Sequence, residues 1–65
     1  MKKPFYSYDC REDRDHPGRF IFAIVYHFYN SVGAEVTRTW ELASASEKNS
    51  LEDNQTKTMV NILNG

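Results

Sequence analysis

The chain has 65 residues, with eight Lys plus Arg against nine Asp plus Glu, and a formal net charge of -1. Hydrophobic residues make up 40% and charged residues 26%, a globular composition that excludes a low-hydrophobicity disordered tail. The length holds one domain, residues 1–65, and a chain this short buries only about 60% of its unfolded surface. The single cysteine, Cys10, leaves no internal disulfide, so added stability has to come from a metal or a partner.

Met1-Lys2-Lys3-Pro4 carries two lysines but no apolar run behind them, which argues against a secretory leader. No run reaches the 18 or so apolar residues of a membrane span. With one free thiol, these features point to a cytoplasmic setting.

In chain order, Phe5–Cys10 is a short β-prone segment after Pro4. Arg11 to Gly18 is a charged connector closed by the turn signal Pro17-Gly18. Phe20–Tyr29 is dense in β-branched and aromatic residues and predicts a central strand, apolar on both faces. Asn30-Ser31-Val32-Gly33 predicts a type I turn ending in a left-handed glycine. Val36–Leu42 alternates cleanly and predicts a third strand. A three-residue loop then pairs Asn30 with Ala34, Phe28 with Val36, Ile24 with Trp40, and Phe22 with Leu42.

Ser44-Ala45-Ser46-Glu47 fits a capping box. Leu51, Gln55, Thr58, Met59, Ile62 and Leu63 share a helical face, and Asp53 and Lys57 are spaced for an i,i+4 ion pair. Leu51, Met59, Ile62 and Leu63 are the expected helical side of the core. The fold class is therefore α+β: a three-stranded antiparallel meander with one C-terminal helix packed on one face, against Phe22, Ile24 and Trp40. The alternative is a four-stranded antiparallel sheet, because residues 55–63 also contain an alternating run, Thr56, Thr58, Val60 and Ile62.

Cys10, His16 and His27 do not have the paired spacing of structural zinc ligands, so no metal or cofactor is expected. No nucleophile elbow or phosphate loop is present, and a chain this small cannot hollow out a substrate pocket, so an enzyme is not expected. Ile21, Ala23, Val25 and Tyr29 form an apolar stripe on the sheet face that one helix leaves bare. The expected function is a small non-enzymatic protein-binding or regulatory module, an inhibitor or adaptor of the kind phages and mobile elements carry. Its contacts would be Ile21, Val25, His27 and Tyr29, with Arg38 and Glu41 as rim charges. The partner would be another protein or a second copy in a homodimer. The alternative is nucleic-acid binding by Tyr6, Tyr8, Arg11, Arg14 and Arg19. Against that, residues 1–19 hold five basic and four acidic groups, too balanced for a strong phosphate field.

Overall fold

The computed structural model describes residues 3–65; Met1 and Lys2, where a secretory leader would begin, lie outside them. Three strands and one helix occur in order: β1 (Phe5–Glu12), β2 (Phe20–Tyr29), β3 (Glu35–Ala45) and α1 (Leu51–Leu63). The strands form one antiparallel sheet in the order β1-β2-β3. The α+β meander with a C-terminal helix is thus the fold, and residues 55–63 are helical, not a fourth strand.

Both turns arise from local chemistry. Gly33 has φ +82 and donates its N–H to the Asn30 carbonyl at 3.0 Å, while the Asn30 side chain accepts from Val32 and Ala34. Between β1 and β2, Arg19 N–H reaches the His16 carbonyl at 3.1 Å, with Gly18 at φ +88. Proline then glycine at the two central positions is the type II requirement.

The hairpin register holds from Tyr29↔Glu35 to Ala23↔Glu41, including Ile24↔Trp40. It departs at Phe22, which faces Ala43 rather than Leu42 because a β-bulge inserts one residue into β3. The bulge carries β3 on to Ala45, which is buried opposite Phe20. Ser44 therefore lies in a strand and cannot open a capping box. The helix is capped by Ser50, whose hydroxyl accepts the Asp53 N–H at 3.2 Å. Asn49 precedes it at φ 63, a left-handed position that asparagine tolerates.

The core consists of Phe22, Ala23, Ile24, Ala45 and Val60, with Asp53 and Thr56 as its buried polar members. The helix is turned away from its expected orientation. Asp53, Thr56 and Val60 face the sheet, while Leu51 and Ile62 are 69% and 72% exposed. Met59 and Leu63 are also exposed.

Polar anchors at both helix ends explain the rotation. The Tyr8 hydroxyl donates to the Asp53 carboxylate near the start of the helix. Near its end the Asn64 side chain accepts the Tyr6 N–H and donates to the Tyr6 carbonyl, both at 2.7 Å. Residues 53, 57, 60 and 64 lie on one stripe of a 3.6-residue period, so anchoring positions 53 and 64 to β1 sends Leu51, Met59 and Ile62 outward.

Candidate functional site

Sheet and helix together expose more surface than a compact chain of this size. The surface is 4939 Å², against about 4300 Å² expected for a monomer of this mass. The radius of gyration is 13.5 Å, against about 10.7 Å for a compact domain of this length. Of the eight large apolar side chains that stand exposed among the described residues, six (Trp40, Leu42, Leu51, Met59, Ile62 and Leu63) lie on the helix or on the sheet face beside it.

There, β1 presents Tyr6, Tyr8 and Cys10, paired with Tyr26, Ile24 and Phe22 of β2. The helix contacts all three strands, yet Trp40 and Leu42 of β3 stay 45% and 44% exposed beside it. Leu63 joins Tyr6, Ile24, Trp40 and Leu42 around a shallow depression. A second open depression on the outer side of the helix is lined by Leu51, Met59 and Ile62 among polar neighbours. Met59 lies between Leu63 and Ile62 in helical angle, so the two depressions form one apolar band. Arg38, with its guanidinium 5.9 Å from the Trp40 ring centre, edges the band.

The opposite face carries most of the contact set expected from the sequence. Ile21, Val25, His27 and Tyr29 are half-buried along β2. Glu41 is on this side and forms an ion pair with Arg11 of β1. Their side chains meet across the central strand above the small Ala23, which is 3% exposed. Phe5 stacks flat on His27, with ring centres 4.4 Å apart, and Ser7 Oγ lies 2.7 Å from His27 Nε2. His27 Nδ1 is buried and sits 3.5 Å from the Glu35 carboxylate. Much of this stripe is therefore covered by neighbouring strands. Arg38 is not at its rim, because it lies in register with Tyr26 on the helix side.

The five residues of the nucleic-acid alternative do not share a surface. Tyr6 and Tyr8 lie on the helix side, with Tyr8 bonded to Asp53 and Tyr6 4.7 Å from the Tyr26 ring. Arg11 is paired with Glu41 on the opposite face. Arg19 donates to the Ser44 carbonyl and hydroxyl at the far end of the sheet, and Arg14 stands exposed in the connector.

Two carboxylates have acidities shifted by their surroundings. Asp53 is held below the usual carboxylate range, chiefly by the Tyr8 hydroxyl and further by the Asn49 N–H at 2.8 Å and the Lys57 ammonium at 3.3 Å, against the cost of burial. Asp13 is lowered first by the Asp15 N–H and then by His16. The Tyr8 phenol is pushed well above its ordinary value, first by burial and then by its bond to Asp53. Asp53, Tyr8, Asn49 and Lys57 form a structural anchor. Sequence spacing found only the Asp53–Lys57 pair within it, because Tyr8 is 45 residues away.

Among the described residues no three His, Cys, Asp or Glu side chains come together to hold a metal ion. Nor is any helix among them long and apolar enough to cross a membrane. Comparison with protein-family models, curated proteins and solved structures finds no match.

Proposed function

We propose that this chain is a small non-enzymatic protein-binding module of the inhibitor or adaptor kind. It docks through the apolar band formed by Trp40, Leu42, Met59, Ile62 and Leu63. The observation that carries this reading is the rotation of α1, which leaves Leu51 and Ile62 about 70% exposed while polar Asp53 and Thr56 occupy the core. Burying an aliphatic side chain gains about 1.5–3 kcal/mol, so the band favours being covered. An apolar centre edged by Arg38 matches an interface core beside a polar rim.

The half-buried stripe at Ile21, Val25, His27 and Tyr29 is the secondary candidate. The nucleic-acid reading has less support, because its aromatic and basic residues lie on different sides of the sheet.

The test compares crosslinked protein partners captured from cell extract by wild type, by Met59→Lys combined with Ile62→Lys, and by Val25→Glu. The helix variant is expected to lose a discrete partner without a lower melting temperature, since neither side chain is in the core. Equal capture by wild type and the helix variant would overturn the assignment to this band. Loss only in Val25→Glu would move the site to the opposite face.

A further inference from the structure

We infer that the partner includes a second copy of this chain, joined through the free edge of β3 in an antiparallel, two-fold arrangement centred on Thr39. This rests on the protein-binding reading above and names its occupant.

The two edges of the sheet are treated differently. On β1, the backbone groups of Tyr6 that point away from β2 are both taken by the Asn64 side-chain amide, which closes that edge as a neighbouring strand would. On β3, the hairpin-closing bond from Asn30 N–H to the Ala34 carbonyl sets the alternation of the ladder. Val36, Arg38 and Trp40 turn their backbone groups toward β2, while Thr37, Thr39 and Glu41 turn theirs outward. Among the described residues nothing pairs with the outward groups of Thr37 and Thr39. The strand is long, has no proline, and is straight up to its bulge at Leu42. Such an edge is a template for another strand.

Self-pairing has one register that suits the side chains. With the axis at Thr39, Thr37 of one copy faces Glu41 of the other and Arg38 faces Trp40, so the ladder closes before the bulge at Leu42. Cation meets aromatic ring, and no like charges oppose. Moving the axis to Arg38 sets arginine against arginine and Glu35 against Glu41. Moving it to Trp40 requires pairing through the bulge. The Thr39 axis is perpendicular to the sheet, so both helices lie on one face of a continuous sheet made from two three-stranded halves. The exposed Trp40 side chains of both copies then lie diagonally across the new ladder on the helix side, two residues apart along the strand. One operation of the symmetry that predominates among oligomers thus pairs the open edge and brings the Trp40 side of the band together.

Sedimentation of the pure chain tests this directly. Wild type is expected at twice 7.6 kDa, and Thr39→Lys at 7.6 kDa with unchanged far-UV circular dichroism, because the substitution sets two ammonium groups face to face at the axis. Register is read by oxidative crosslinking. Thr39→Cys should gain a disulfide-linked dimer absent from wild type, since facing Cα atoms in a hydrogen-bonded pair are about 5.5 Å apart. Thr37→Cys should not, because its two copies stand about 14 Å apart, four residues along the strand. A wild-type chain that remains at 7.6 kDa at millimolar concentration overturns the inference, as does a dimer indifferent to Thr39→Lys or equal crosslinking at both positions. The capture comparison with the helix variant is a separate measurement, so the binding module can stand if the edge dimer falls.

Discussion

The carboxylate of Asp53 offers the sharpest test of how the helix is held. The side chain is 1% exposed and serves the Tyr8 hydroxyl, the Asn49 N–H and the Lys57 ammonium. Asp53→Asn keeps the volume but offers a single acceptor oxygen and no charge. All three donors lose a charged acceptor, and a hydrogen bond to a charged group contributes about 1.5–3 kcal/mol. Allowing for partial compensation by the remaining oxygen, the expected loss is about 3 kcal/mol. Total stability at 0.05–0.15 kcal/mol per residue is about 3–10 kcal/mol for this length, so the variant sits close to unfolding. Urea titration followed by far-UV circular dichroism measures the loss. Thermal melting should fall by about 12–24 °C, at roughly 4–8 °C per kcal/mol for a domain of this size. Ser50→Ala is the control, since it removes only the cap and costs about 1 kcal/mol. If Asp53→Asn shifts stability by less than about 0.5 kcal/mol, well under one charged hydrogen bond, the polar anchor does not set the helix orientation and the reasoning fails.

The same anchor fixes the pH limits. Asp53 is lowered on folding, so its stabilisation is present above the ordinary value of 3.8 and is lost as pH falls through the folded value. Tyr8 is raised, so its contribution is complete below 10.0 and is lost as pH climbs through its folded value. Urea midpoints should therefore decline at both extremes, and Asp53→Asn should flatten the acid side. Asn64→Ala removes two backbone contacts at the β1 edge and should cost about 1–2 kcal/mol; hydrogen exchange should show faster loss of protection at the Tyr6 amide than elsewhere in the sheet.

The hairpin was legible because its signals are local. Asn30 and Gly33 specify the turn, and the alternation from Val36 to Trp40 leaves one register that keeps the large side chains together. The bulge at Leu42 escaped because alternation cannot show where one residue is added. Its two results, the extension of β3 to Ala45 and the move of the helix cap to Ser50, escaped with it. The helix itself was legible, but its orientation was not. Leu51, Met59 and Ile62 repeat as a buried stripe would, and only Tyr8 and Tyr6, more than 40 residues earlier, draw Asp53 and Asn64 inward instead. The two readings of the spare apolar surface differ for that reason. Sequence located the spare apolar surface behind the sheet, on Ile21, Val25 and Tyr29, whereas the more exposed apolar side chains lie on the helix and beside it.

The bond between Asn64 and Tyr6 links positions 58 apart in the chain, and it joins a region near the start of the molecule to one near its close. Contacts that span so much chain form late in folding, after short-range hairpins have gathered the intervening segments. Opening should run in reverse, with the helix lifting from β1 while β2 and β3 stay zipped. A population of such half-open molecules would bare Phe22 and Ile24, and the same amide that finishes the structure would then decide how often its interior meets water.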